Sequence, residues 1–526
     1  MTVTVTGTLG VAPPPSPLVF NAVDYGALGN GVHDDTTNIQ NAINAAAAAG
    51  SSTLGNGKGG IVFFPPGAYK TTAALTNNVS GSTVRLVGSG ANISGIYGAV
   101  SGFIVSQSNA AGSGQIISVE YLTISNTTTS SGFDLTVGGI LLNNVQNGLI
   151  AGCSIFGWTC IAAYSNTFET TIINCNCAAV GSWTTSGGPI GIYFSGGGII
   201  DTAVVSAYAG FMIASTPSSG NGASDTAMYR TRSEACNIGV VLGRDTAGTV
   251  CTAEPFFMNS HSTERCNTAI DIASITAGVL SGVILTGTIG VANFINSGNI
   301  TWAAGGGGTA TLTQTGGTTL NNLGWTSGTR LVKIEGVTPS GYNTAGFVTG
   351  TYISSTSFSY PLVANPGAYV SGGDWGFEIQ YGVRISNANN LVINGLTVSI
   401  TPCQVAGVDL NYGANSSGAN NTLTSVTAGV GGWALPAAPS KASFQYIQCD
   451  QPGGSTNDAL GNVAGMVFAN LPGQAGVAAT PATEGQEYDI INQNNSAVTF
   501  GATGAGGGTT HARVRWNGSN WTVMGI

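Results

Sequence analysis

Charge is what this sequence has least of. Its 526 residues hold 13 Lys and Arg and 22 Asp and Glu, 7% charged in all, with a net charge of −9 and no run of basic residues. That excludes the electrostatic footprint of nucleic-acid binding and points to neutral or polyhydroxylated partners. Cysteine is also sparse. The nine present are an odd number and cannot all pair, and none stands in C-x-x-C spacing with histidines, which excludes the usual zinc sites and leaves reduced, buried thiols as the expectation. No apolar run reaches transmembrane length, so no membrane insertion is expected. The opening MTVTVTGTLGVAPPPSP has neither a basic nor an apolar signal region, so no exported leader is expected. GSGANISG and GGGG lack the Lys-Ser/Thr and strand-to-helix setting of a phosphate loop, and no Gly-x-Ser-x-Gly elbow with a histidine partner stands out. No cofactor and no metal site are read from the sequence.

What is present is small and polar. Glycine (81) and proline (18) are abundant, yet 42% of residues are hydrophobic, enough for an ordered core. Asn, Thr, Ser and Gly suit short strands and tight turns and suit long helices badly, so the fold class is all-β. One helix interrupts it. After GNGVHDDTTNIQ the apolar Ile39, Ala42, Ile43, Ala46 and Ala49 recur at three- and four-residue steps up to Gly50. Asp34 or Asp35 then lies at the amino-terminal end of that helix, where a carboxylate accepts bonds from free N–H groups and stabilises by about 1 kcal/mol. Such a carboxylate has a lowered pKa and is a poor general acid, so His33-Asp34-Asp35 reads as scaffolding.

The chain repeats itself. GILLNNVQNGLIAGCSI from Gly139 matches GVRISNANNLVINGLTV from Gly382, with identities at Gly139/Gly382, Asn144/Asn387, Asn147/Asn390, Ile150/Ile393 and Gly152/Gly395. MYRTRSEACNIGVVL from Met228 and MNSHSTERCNTAIDI from Met258 keep Met228/Met258, Glu234/Glu264, Cys236/Cys266 and Asn237/Asn267 in step. Short strands returning with the same turn residues describe stacked coils, each burying its apolar face against its neighbours. Asparagine suits the left-handed backbone of the corners. The aligned cysteines read as a ladder of small core residues.

The order VDYGALGNGVHDDTTNIQNAINAA, GGIVFFPPGAYKT, VRLVGSG, covering Phe20 to Gly90, resembles the entrance of the pectate-lyase-like right-handed β-helix proteins, notably phage tailspikes and related polysaccharide depolymerases. The resemblance implies a right-handed parallel β-helix with an amino-terminal cap helix. It also implies a homotrimer, a bacterial surface polysaccharide as ligand, and a virion setting with the amino-terminal arm joined to the tail or baseplate, a secreted protein being the alternative. The expected organisation is an arm over 1–19, cap and first coils over 20–90, central helix over 91–290, an inserted small β-domain over 291–375, resumed helix over 376–450 and a carboxy-terminal β-module over 451–526. The polygalacturonase set of Asn-Thr-Asp, Asp-Asp, Gly-His-Gly and Arg-Ile-Lys is missing. Plain pectin hydrolysis is therefore not expected, and Asp34-Asp35 cannot replace the central Asp-Asp from within the cap.

Because charge is rare, its clustering is informative. Asp225, Glu234, Asp245, Glu254, Glu264 and Asp271 lie within one segment with Arg230, Arg232, Arg244, Arg265 and His261. Unpaired charges are expensive to bury, so these side chains are expected on the outer faces or turns of adjacent coils as one polar strip. Glycoside hydrolysis needs one protonated and one ionised carboxyl, about 5–5.5 Å apart for retention and about 6.5–9.5 Å for inversion. Glu234 and Glu264, one coil apart, would be spaced by about 4.8 Å at the backbone, with Asp225, Asp245 or Asp271 as alternative partners. Glu234 with Arg232 and Glu264 with Arg265 also fit plain surface ion pairs. An elimination on uronic acids would instead use His261 as base with Arg230, Arg232 or Arg265 as the stabilising cation. Tyr229, Trp183, Tyr193 and Tyr208 are candidates for stacking on sugars. A non-catalytic glycan-binding adhesin is the reading from another class.

Overall fold

Parallel ladders dominate the computed structural model, which describes residues 18–49, 58–108, 115–164, 169–181, 187–214, 225–286, 325–345, 348–377 and 381–399, with shorter stretches elsewhere. The arm up to residue 17 and Trp183 lie outside the described residues. Three long sheets take successive strands in turn. Sheet A has 13 strands from Val19–Asn21 to Phe444–Ile447, sheet B 11 from Asn30–Asp34 to Thr397–Ser399, and sheet C 10 from Phe103–Ser108 to Trp433–Ala434. One coil is Thr226–Tyr229 in A, Arg232–Glu234 in B and Ile238–Leu242 in C. The next coil, Phe256–Asn259, Ser262–Glu264 and Thr268–Ile272, pairs with it residue for residue. This is an all-β, right-handed parallel β-helix.

The corner from A to B shows why the sequence coils. One residue per coil adopts a left-handed backbone: Tyr121, Gly152, Asn174, Asp201, Arg230, Ser260, Gly282, Gly395 and Ser425. The chain turns there without breaking the ladder, because the corner amide still donates to the neighbouring coil, Asp201 N–H to the Tyr229 carbonyl at 3.0 Å and Arg230 N–H to that of Asn259 at 3.0 Å. The residue after it points inward, giving a buried column of Leu122, Cys153, Cys175, Thr202, Thr231, His261, Val283, Leu396 and Val426. Asn144, Asn147 and Asn390 take left-handed corners as the sequence suggested, and Asn387 does not. Asn237 and Asn267 do not; the left-handed residues there are Ala235 and Arg265. Their amides stack instead, Asn267 Nδ2 donating to Asn237 Oδ1 at 3.0 Å.

Sheets B and C approach most closely along a column of small residues that includes Gly191, Gly210 and Gly239. A Cβ on Gly239 would stand 2.6 Å from the Ala269 carbonyl oxygen and 2.6 Å from Ser233 Oγ. Gly139 and Gly382 occupy the same place in their coils, so that repeated glycine marks a close approach. The seven described cysteines are buried and unbridged, Cys236 and Cys266 on neighbouring coils.

The cap helix runs Thr36–Ala48 and buries Ile39, Ala42, Ile43, Ala46 and Ala47 over the end of the helix. Asp34 Oδ1 accepts from the Thr36 N–H at 3.1 Å and Oδ2 from the Thr72 hydroxyl at 2.7 Å. The Thr36 hydroxyl, which also donates to Oδ1, and then the Thr72 hydroxyl hold its carboxyl below the usual range, with help from the amide. Asp35 is fully buried, accepts from Leu28 and Gly29 N–H at 2.8 and 3.1 Å, and faces His33 Nδ1 at 2.7 Å. Every polar atom of this trio that packs inward fastens backbone, which is a structural task.

Between sheet B strand Ile284–Thr286 and sheet C strand Tyr381–Ile385 stands a six-stranded sheet with antiparallel ladders, bounded by Ile300–Trp302 and Ser371–Phe377. Trp325, Phe358, Tyr360 and Trp375 are buried in it and join the core of the coils. A separate five-stranded sheet, Leu460–Gly461 to Trp521–Gly525, follows the last coil.

Candidate functional site

Strand alternation puts Arg232 and Glu234 outward and Ser233 inward on sheet B, and repeats this at Ser262, Thr263 and Glu264. Glu234 and Glu264 are direct ladder partners. Glu234 is the more enclosed, its side chain 14% exposed against 41% for Glu264. The left-handed Arg265 follows Glu264 and reaches back, its guanidinium on Glu234 and its Nε 3.7 Å from Glu264 Oε1. Arg232 grips the other oxygen of Glu234 from the same strand. Burial, with the like charge of Arg232 nearby, draws Arg265 below the usual arginine range. Glu234 is therefore clamped between two guanidiniums, while Glu264 faces solvent with one distant cation.

At the adjoining A-to-B corner Arg230 donates through Nε to Asp201 Oδ1 at 2.6 Å, and its guanidinium lies over the Tyr229 ring at 5.0 Å. The hydrogen bond and charge of Asp201 raise Arg230 above its ordinary value. Tyr229 and, one coil on, Phe257 project from the outer face of sheet A, 45% and 51% exposed. Together these residues make a patch of alternating charges beside two half-exposed aromatic rings, that of Tyr229 already faced by Arg230, suited to a polyhydroxylated or acidic chain.

The single continuous strip expected from the sequence is corrected by the topology. Asp225 is exposed at the C-to-A corner, at the opposite end of its strand from Arg230. Asp245 is buried and its Oδ1 accepts from Ala247 and Thr249 N–H at 2.9 and 2.8 Å, which shapes the turn holding Arg244. Asp271 is 1% exposed on the outer side of sheet C, paired with Arg384 at 2.7 Å, and Asp409 follows one coil on. Tyr193 is buried there as well, and burial pushes its hydroxyl, and that of the partly buried Tyr208, up.

His261 is in the core. It fills the inward corner column between Thr231 and Val283, its Nδ1 2.8 Å from Thr231 Oγ1 and its ring edge-on to Phe211 at 5.8 Å. Burial lowers its pKa to about 3. It cannot serve as the exposed base or substrate contact. The sequence cue that misplaced it was its company of charged neighbours; the cue that locates it is position, two residues after Asn259, where Thr231 stands two after Tyr229. Asp201, Phe257, Arg330 and Arg384 were not singled out. Asp201 belongs to the corner column only once the coil register is known, and Arg384 faces Asp271 only across an insertion of many residues.

Among the described residues no group of His, Cys, Asp and Glu is arranged to hold a metal ion. The three ladders and the charged corner define a parallel β-helix protein with an outward carboxylate pair. A family model described as "Rhamnogalacturonase A/epimerase, pectate lyase-like" matches residues 19–292, and the chain belongs to that family. Curated relatives match over short stretches. Mannuronan C5-epimerase AlgE6 of Azotobacter vinelandii is 51% identical over 55 residues, 10% of this chain and 5% of that protein. AlgE2 of the same organism is 41% identical over 75 residues, 14% of this chain and 7% of that protein. The chain thus spans under a tenth of the length of these relatives. Among solved structures, the AlgE6 A-module of Azotobacter vinelandii superposes with a TM-score of 0.40 at 14% identity, covering 83% of this chain and 100% of that one. The amino-terminal fragment of bacteriophage Phi29 gene product 12 gives 0.44 at 12%, covering 82% and 66%. ORF18 of Geobacillus virus E2 gives 0.37 at 14%, covering 73% and 80%. Likenesses of this depth carry nothing about activity.

Proposed function

We propose that this chain is a tailspike-type depolymerase that lays a bacterial surface polysaccharide across the outer face of sheet B, from its corner with sheet A to the far end of its strands, and cleaves it there by glycoside hydrolysis, with Glu234 and Glu264 as the working carboxylates. The observation that carries the reading is the ladder pairing of these two outward residues on adjacent coils. A spacing of about one coil, about 4.8 Å, matches the separation for retention better than that for inversion. Their surroundings differ. Two guanidiniums clamp Glu234 where a nucleophile would stand, and the more exposed Glu264 projects beside it at the position of an acid/base partner. Tyr229 and Phe257 supply stacking faces, and Arg230 a polar edge. The virion setting and trimeric assembly rest on the resemblance of residues 20–90 to tailspike entrances.

A second reading has one observation in its favour: Arg232 and Arg265 both lie on Glu234, with Arg230 on the corner before that strand, so the strip carries cations of the kind that a uronate carboxylate needs in elimination or C5 epimerisation. No histidine stands on this strip among the described residues, so a carboxylate or Tyr229 would have to remove the proton. Digestion of capsule or lipopolysaccharide separates the readings. New reducing ends without ultraviolet absorbance identify hydrolysis, absorbing unsaturated ends identify elimination, and binding with no product identifies an adhesin. Glu234→Gln and Glu264→Gln should each abolish product and leave binding intact; full activity in both rejects the pair.

A further inference from the structure

In the two preceding coils the turn from sheet B to sheet C is brief, Ala235 to Asn237 between Glu234 and Ile238, then Arg265 to Asn267 between Glu264 and Thr268. In the next coil the same turn is replaced by the antiparallel insert. Its departure point Thr286 is the ladder partner of Glu264, and its return point Tyr381 is the ladder partner of Thr268. Both ends of the insert therefore rise from one corner, a single coil or about 4.8 Å beyond the carboxylate pair.

The insert is also fastened to that corner. Arg330, on the insert strand Thr329–Thr338, is 3% exposed and donates to Asn267 Oδ1 at 2.6 Å, and Asn267 passes the contact on to Asn237. Tyr381 N–H donates to the Asn267 carbonyl at 3.3 Å. Burying a guanidinium is costly, and burial draws this one down to about 9. A costly polar contact against an amide ladder specifies one docking geometry, which an apolar contact of similar size would not. Inside the insert Phe358 packs at 5.2 Å from both Trp325 and Trp375, so the body docked there is densely packed.

We propose that the insert is the specificity-determining wall of the glycan site, held by the Arg330–Asn267–Asn237 relay so that it contacts sugar units or branches bound beside Glu264. This rests on the reading of the Glu234–Glu264 strip as the polysaccharide site. Arg330 acts through position and does not touch the reacting atoms. The test is a panel of immobilised bacterial capsule and O-antigen polysaccharides, bound by the full chain and by Arg330→Gln, with Asn267→Ala as a second variant should the first fold poorly. The expected result is binding by the full chain to a narrow subset, with each variant at least tenfold weaker on that subset or spread over more of the panel, at unchanged far-ultraviolet circular dichroism. The inference is overturned when the variants keep the wild-type affinities and profile. Absence of any binding by the wild type on the panel defeats the strip reading itself, and the wall with it.

Discussion

His261 offers a quantitative test of the coil register. Its imidazole is sealed in the corner column with a pKa drawn from 6.5 to about 3 by burial. Below pH 6.5 the unfolded chain takes a proton that the folded chain refuses, so stability falls as pH drops from 6.5 toward about 3 and is unaffected above that window. The slope is about 1.4 kcal/mol per pH unit, which removes about 3 kcal/mol by pH 4.5. His261→Leu takes away the proton site and fits a column that already holds Val283 and Leu396. It leaves the Thr231 hydroxyl without its ring partner, a loss of about 1–3 kcal/mol. The variant should therefore be the less stable protein at pH 7.5 by about 1–3 kcal/mol and draw level with or pass the wild type at pH 4.5. Urea midpoints of the helix at both pH values read this directly. With three histidines in the chain, imidazole NMR also follows each ring separately. A ring at 261 that titrates near 6.5, or a stability gap independent of pH, refutes the placement.

Other outcomes follow from single positions. Gly239→Ala should destabilise by about 1–3 kcal/mol, because its Cβ would press on the Ala269 carbonyl and Ser233 where sheets B and C meet. Gly248→Ala, left-handed but with nothing within 4 Å, should cost only the backbone term of about 1–2 kcal/mol; a wild-type urea midpoint in Gly239→Ala would contradict the close approach. Of nine cysteines, seven are described and buried, so nine minus seven leaves at most two thiols to react quickly with Ellman's reagent in native protein, and all nine after denaturation. Arg230→Ala should leave thermal stability nearly unchanged because the Asp201 pair is exposed, yet weaken polysaccharide binding several-fold in titration; unchanged affinity removes Arg230 from the site.

Much of the fold was legible because the coil is written locally. Gly139/Gly382, Ile150/Ile393 and Gly152/Gly395 recur since each is dictated by its own coil: a close approach between sheets, an inward strand position and a left-handed corner. The cap helix was legible from its period, and its burial of Ala47 where Ala49 was expected reflects an end at Ala48, two residues before the glycine. The pairing of Glu234 with Glu264 was legible because nothing interrupts the thirty residues between them. The rest depended on corners. A left-handed residue resets which side chains face inward, so His261 went to the core and Asp225 to the far side of sheet A, although both are close in sequence to the strip. Asp245 and Asp271 show a second limit: a carboxylate can be buried on the outer side of a sheet when backbone N–H groups or an arginine from a later coil meet it. Nothing in the sequence near Asp271 announces Arg384.

The most direct test of the carboxylate pair is a crystal structure of the Glu264→Gln variant soaked with an oligosaccharide released by the wild-type protein. The scissile oxygen should rest within hydrogen-bonding reach of position 264, with the anomeric carbon facing Glu234 and sugar rings on Tyr229 or Phe257. Sugar bound elsewhere, such as over sheet C beside Asp271 and Arg384, with the A-to-B corner bare, would contradict the account.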